Sequence, residues 1–130
     1  MVASPNLPAP MPHLVLEIAP DLPPIDGQAL LRTLHQVLVD TGHFRAPEIK
    51  GRILRPEASR VGVDSPEETF VHLELRVMPG RPPELLSGLA GRLVEVLDAA
   101  IPRLPGKRLQ VTAEVLELAP TRYAKQWRTG

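Results

Sequence analysis

The residue pair Met11-Pro12 is the feature of this sequence that comes nearest to chemistry, because an alternating segment, 13–18, follows it at once. If translation begins at Met11 and that methionine is removed, the nitrogen of Pro12 becomes a secondary amine, which is basic and nucleophilic. Inside a chain the same nitrogen is a tertiary amide without a proton. That one cleavage therefore decides whether Pro12 is a general base and acid or a proline that merely opens an edge strand.

Cationic side chains are the second chemical feature. Lys50 and Arg52 are two residues apart on a predicted strand, so they share a face. They would repel each other unless an anion joined them, and a di- or tricarboxylate substrate would supply that anion. Such cations would also stabilise an enolate and lower the pKa of a nearby amine. The alternative is a solvated strand face.

Three further residues complete the predicted site as substrate contacts. Arg81 stands in a Gly-Arg turn before a helix and could bind a carboxylate together with the helix N-terminus, unless it is an exposed loop arginine. Phe44 is predicted to line the pocket, with a place in the core as its alternative. His13 is predicted to contact substrate or to make a structural hydrogen bond. Without cysteine or a close His/Asp spacing, no metal site is predicted.

Composition limits the classes of protein to which the chain can belong. It has 130 residues, enough for one domain with a real core, and no cysteine. Fifteen basic residues balance fifteen acidic ones, which argues against nucleic acid or an anionic membrane as the main partner. No apolar run has membrane-spanning length and no secretory signal is evident, so a cytoplasmic location is expected.

Hydrophobic periodicity and proline punctuation predict the elements that position these residues. The predicted strands cover 13–18, 50–55, 70–77 and 109–118, and the predicted helices cover 27–39 and 83–100. Right-handed crossovers in a β-α-β-β-α-β order place both helices on one face of a four-stranded sheet, an α+β fold. The other face stays open, which suggests burial in an oligomer. Residues 1–11 are expected to be a disordered or removed leader, 12–118 the domain, and 119–130 a tail that could contact another subunit.

At this point the chain resembles the tautomerase superfamily, and more narrowly it is similar to the 5-carboxymethyl-2-hydroxymuconate Δ-isomerases. The matching segments are Met-Pro-His-Leu-Val-Leu-Glu over 11–17, Thr41-Gly42 with Phe44, the strand 49–53, Phe70-Val71-His72-Leu73, Gly80-Arg81, and Pro120-Thr121 with Lys125-Gln126. The resemblance implies a homotrimer of tautomerase-like protomers. It implies cofactor-independent proton transfer by an N-terminal proline on an unsaturated polycarboxylate from aromatic-compound catabolism.

Two departures from the family pattern keep alternatives open. Residues 1–11 precede the proline, and the family's catalytic arginine aligns with Lys50, while a further arginine aligns with Arg52. Lysine lacks the bidentate fork of arginine. Either Lys50 serves, or Arg52 takes over, or the activity has drifted. The rival interpretations are a non-catalytic ligand-binding or structural oligomer of ferredoxin-like fold, and a silent trimer whose Pro12 is capped by the leader.

Overall fold

The computed structural model describes residues 11–130, so the predicted leader lies outside the described residues except for Met11. The strands are β1 (His13–Ile18), β2 (Lys50–Leu54), β3 (Glu68–Val77) and β4 (Arg108–Glu117). The helices are α1 (Gly27–Asp40) and α2 (Pro83–Ala100), and two single 3-10 turns lie at Ala46–Glu48 and Pro120–Arg122. The predicted β-α-β-β-α-β order and α+β class are confirmed.

The four strands form one mixed sheet in the order β2-β1-β3-β4. β1 runs parallel to β2 and antiparallel to β3, and β3 runs parallel to β4. Each parallel pair is joined through a helix, as a parallel connection requires. Because β1 and β3 are antiparallel, the start of β1 and the end of β3 lie at the same end of the sheet.

Both helices pack on one face of the sheet through leucine stripes. Asp26 caps α1 by accepting a hydrogen bond from the Ala29 amide at 3.0 Å, and Gly42 with φ of 77° follows the end of that helix, as predicted. The buried core combines the inward residues of β1 and β3 with residues three or four apart on each helix. Its fully covered members include Leu14, Leu16, Leu34, Leu38, Leu73, Leu75, Leu93 and Leu97.

β1 has the predicted bounds, whereas the ends of the other three strands differ from the predicted ones by one or two residues. β3 begins at Glu68 rather than Phe70, because the parallel ladder with β4 starts at the pair Glu68 and Arg108, whose side chains also form an ion pair at 3.1 Å. β2 ends at Leu54, since the side chain of Arg55 leaves the sheet and donates to the Leu22 carbonyl at 2.8 Å.

The face of the sheet opposite the helices, here called the open face, carries polar and partly exposed side chains. Two of its apolar members, Leu54 and Leu116, are 49% and 40% exposed. Ion pairs on this face include Arg76 with Glu74 within β3 and Arg108 with Glu68 between β3 and β4. Within residues 11–130, no helix has the length and apolarity needed to cross a membrane.

Candidate active site

Pro12 lies immediately before β1, at the end of the sheet where β3 finishes. Its side chain is fully buried, and Met11 is also buried at 3% exposure. The Pro12 carbonyl accepts a hydrogen bond from the Lys50 amide at 3.1 Å, which ties the residue to the start of β2. While Met11 is attached, the Pro12 nitrogen is an amide with no basic lone pair.

The sheet register groups three of the predicted site residues on the open face at the start of β1, directly after Pro12 in the sequence. His13 is the pairing partner of Lys50 on one side and of Arg76 on the other, and Arg52 stands one row further along β2, opposite Val15. Lys50 and Arg52 share a face, as predicted, and the register shows that this is the open face, on which His13 also lies. Arg52 Nη1 lies 3.4 Å from His13 Nδ1.

A concentration of positive charge surrounds His13. Burial lowers the pKa of His13, and the cations Arg52, Lys50, Arg76 and Lys125 lower it further, in that order. A neutral imidazole therefore stands among four cationic groups, with acidic side chains in the next rows of the open face. Two of these cations already have carboxylate partners, since Arg76 pairs with Glu74 and Lys125 with Glu48, so an anion placed at this end of the sheet would meet Lys50 and Arg52.

Lys50 has a neighbourhood that sequence reasoning missed. Its ammonium donates to the Glu48 carbonyl, and Lys125 from the C-terminal segment forms an ion pair with the Glu48 carboxylate at 2.8 Å. The Glu48 and Lys125 side chains are only 15% and 18% exposed. Burial and then Lys125 lower the pKa of Lys50, while Lys125 holds the pKa of Glu48 below its usual value. No spacing in the sequence signals Glu48.

The C-terminal segment also delivers Tyr123 to this end of the sheet. Its hydroxyl lies 3.1 Å from His13 Nε2, and the two rings meet edge to face. Lys125 stands over the Trp127 ring at 4.0 Å, although Trp127 itself is 70% exposed. Two roles are predicted for His13, a substrate contact or a structural hydrogen bond. The contact with Tyr123 is a hydrogen bond of the second kind.

Arg81 and Phe44 form a second cluster, distinct from the one around His13. The guanidinium lies 4.2 Å from the centre of the Phe44 ring and donates to the carbonyls of Met78 at 3.0 Å and His43 at 3.2 Å. Arg81 is 8% exposed, so the alternative of an exposed loop arginine is wrong. Phe44 belongs to the hydrophobic core. Substrate contact by either residue stays a prediction.

Among residues 11–130, no group of three or more His, Asp and Glu side chains is arranged to hold a metal ion. The chemistry this arrangement can perform by itself is binding of a polyanion, stabilisation of an oxyanion, and, with a free amine at Pro12, proton transfer.

Comparisons with known proteins agree with this geometry. The family model described as 5-carboxymethyl-2-hydroxymuconate isomerase matches residues 12–128, so the match begins at Pro12. A crystal structure of a 5-carboxymethyl-2-hydroxymuconate isomerase from Deinococcus radiodurans R1 is 27% identical, with a TM-score of 0.76 and 88% of each chain covered.

Two more distant structures share the fold. A crystal structure of a 5-carboxymethyl-2-hydroxymuconate delta-isomerase is 20% identical, with a TM-score of 0.73, and covers 90% of this chain and 89% of its own. A fused 4-OT symmetric trimer is 16% identical, with a TM-score of 0.66, and covers 88% and 93%. Among curated proteins, no significant match was found. The chain therefore belongs to the 5-carboxymethyl-2-hydroxymuconate isomerase family and is an isomerase of the tautomerase superfamily.

Proposed function

We propose that the protein moves a double bond in an unsaturated 2-hydroxy or 2-oxo polycarboxylate similar to 5-carboxymethyl-2-hydroxymuconate, with the nitrogen of Pro12 as the base and then the acid. The observation that carries the proposal is the repulsion between Lys50 and Arg52, two cations on the open face beside His13 that have no carboxylate partner among residues 11–130. A substrate with two or three carboxylates offsets that repulsion, whereas a neutral substrate does not.

The proposal requires that Pro12 become the N-terminus. Its fully buried position then works in favour of catalysis, because both burial and nearby cations disfavour the charged form of an amine and lower its pKa towards neutrality. Removal of Met11 also frees the space that this buried side chain fills, next to the new amine. The domain would then span 12–118.

In this mechanism the free amine of Pro12 removes a proton either from the C2 hydroxyl of a 2-hydroxy substrate, which leaves the electron pair on that oxygen, or from a carbon of a 2-oxo substrate, whose electrons move through the conjugated system onto the oxygen at C2. Lys50 and Arg52 stabilise the resulting dienolate and hold a substrate carboxylate. The protonated amine returns the proton at a carbon of the conjugated system, so atoms and charge balance without a cofactor. Arg81 and Phe44 would contribute from the neighbouring cluster.

We place the reaction in a homotrimer, which would cover the open face and its half-exposed Leu54 and Leu116. The fused 4-OT structure of the same fold is a symmetric trimer. Native mass spectrometry tests this point: a trimeric mass supports it, and a dimeric or monomeric mass contradicts it.

The central experiment compares three proteins: a chain that begins at Pro12, its Pro12→Ala variant, and the full chain. The ketonisation of 2-hydroxymuconate by each is monitored by its ultraviolet absorbance. The Pro12 chain should turn over substrate, and Pro12→Ala should be slower by about 10²–10⁴-fold. The full chain should be nearly inactive, because its Pro12 nitrogen is acylated. Equal rates for the three proteins contradict the mechanism, as does a full chain that retains its leader and still turns over.

A further inference from the structure

The protonation pattern of His13 follows from its two neighbours. An arginine guanidinium only donates hydrogen bonds, so the contact of Arg52 Nη1 with His13 Nδ1 at 3.4 Å makes Nδ1 the acceptor. The neutral imidazole then carries its hydrogen on Nε2 and donates it to the Tyr123 hydroxyl oxygen at 3.1 Å. Arg52, His13 and Tyr123 thus form a chain of hydrogen bonds with one direction.

This direction leaves the Tyr123 hydroxyl with a hydrogen to donate. The oxygen accepts from His13, and no acceptor for the hydroxyl hydrogen is present in the described part of the chain. A hydroxyl polarised in this way is a stronger donor than an isolated one, because successive hydrogen bonds reinforce each other. Burial and the surrounding cations lower the pKa of His13, which favours the neutral form on which the direction depends.

The position of the hydroxyl is held by more than the single bond to His13. The segment that carries Tyr123 is fastened two residues later by the Lys125 ion pair to Glu48 at 2.8 Å, and the 3-10 turn Pro120–Arg122 precedes it. The hydroxyl therefore lies on the open face beside the first row of the sheet, where Lys50 and Arg76 flank His13.

We propose that Tyr123 is a catalytic residue that donates a hydrogen bond to the C2 oxygen of the substrate, where negative charge develops, and that His13 and Arg52 position and polarise it. This inference rests on the proposed function for its reaction, and it assigns the oxyanion contact to a residue of the C-terminal segment. Substrates with an oxygen at C2 are the class that this contact selects. No proton is transferred to or from Tyr123 in this step. Its hydroxyl hydrogen stays bonded to its oxygen while the negative charge moves from the C2 oxygen of the substrate back to carbon.

Equilibrium binding tests the contact without requiring turnover. 2-Oxoglutarate and glutarate are dicarboxylates of equal length that differ only in the oxygen at C2. By calorimetry on the chain beginning at Pro12, Tyr123→Phe should weaken 2-oxoglutarate about tenfold, the size of one hydrogen bond, and leave glutarate unchanged. Equal loss for both ligands, no loss for either, or no binding of 2-oxoglutarate to the parent protein would each overturn the proposal.

Steady-state kinetics provide a second, independent test of the role of Tyr123. Tyr123→Phe should raise KM about tenfold, in line with the bond lost from the bound ligand, and should also lower kcat by about tenfold, because the bond strengthens as charge develops on the oxygen. His13→Gln keeps an amide donor near the Nε2 position and should retain most of kcat, whereas His13→Leu should resemble Tyr123→Phe. If the two His13 variants behave alike, the positioning role is wrong.

The two proposals fail separately. If the Pro12 chain does not turn over 2-hydroxymuconate, the proposed function is wrong. Binding of 2-oxoglutarate and glutarate still shows whether Tyr123 contacts an oxygen at C2. If the Pro12 chain is active and Tyr123→Phe has its kcat, the inference about Tyr123 is lost and the proposed function stands. Circular dichroism of each variant confirms that the fold is retained.

Discussion

The imidazole of His35 occupies the place that a side chain at residue 51 would take. A Cβ built on Gly51 would lie 2.1 Å from His35 Nε2 and 3.1 Å from a methyl group of Leu31. Helix α1 can thus approach β2 closely only because residue 51 is glycine. Gly51 separates Lys50 from Arg52, so this contact between helix and strand also sets the backbone from which both cations project.

Gly51→Ala is therefore expected to destabilise the protein by about 1–3 kcal/mol, because His35 must leave its rotamer or β2 must shift. Urea unfolding measures the change. Gly88→Ala in α2 is the matched control: no atom of the described part of the chain lies within 4 Å of its added methyl group, and alanine in a helix should stabilise by about 0.5–1 kcal/mol. A Gly51→Ala protein as stable as the parent would show that the close approach costs nothing to relax.

His35 also makes stability depend on pH. Among residues 11–130 its buried Nε2 has no hydrogen-bond partner, and burial lowers the pKa of His35 from its ordinary value of 6.5. The unfolded chain then takes up a proton at a higher pH than the folded one. Stability from this group is complete above about pH 6.5, falls as the pH decreases towards the folded pKa, and does not fall further below it.

The measurement for His35 is the urea midpoint between pH 8 and pH 5, for the parent and for His35→Gln. The parent should lose stability over this range, and the variant should lose less, because glutamine does not titrate. His13, whose pKa is also lowered, keeps part of the slope in both proteins. Identical slopes would mean that the His35 imidazole is free to become charged in the fold.

The elements of this fold could be predicted from sequence because each has a local cause. Alternation places Val71, Leu73 and Leu75 on one face of β3, and the leucine spacing of α1 marks its buried stripe. Lys50 and Arg52 could be placed on one face for the same reason. Such periodicities determine which face a residue takes, and this part of the prediction is confirmed.

The contacts of Glu48, Tyr123 and Lys125 could not be predicted in the same way. They join residues 77 and 110 positions apart, and no spacing records where a C-terminal segment returns to a sheet. Arg81 shows the same limit. A Gly-Arg turn predicts a guanidinium at the surface, while the stacking on Phe44 that buries it depends on the packing of two distant loops.

Arg81 is expected to stabilise the fold by holding these two loops together. Arg81→Met keeps the length of the side chain but removes the donors to the Met78 and His43 carbonyls, and should cost about 2–4 kcal/mol. Arg81→Lys should recover only part, since one ammonium cannot reproduce the planar fork. Urea unfolding checks both. A purely substrate-binding Arg81 would instead raise KM and leave the unfolding free energy of both variants unchanged.

Substitutions of Lys50 test whether a lysine can take the role of the arginine that the family has at this position. In the chain beginning at Pro12, Lys50→Met should lower kcat/KM for 2-hydroxymuconate by about 10²-fold, because it removes a cation that faces the substrate charge. Lys50→Arg should stay within about tenfold of the parent. Arg92→Gln, which removes an exposed charge on α2, is the control and should not change the rate. If Lys50→Met is as active as the parent while Arg52→Met is not, Arg52 holds the role that the family assigns to its second-strand arginine.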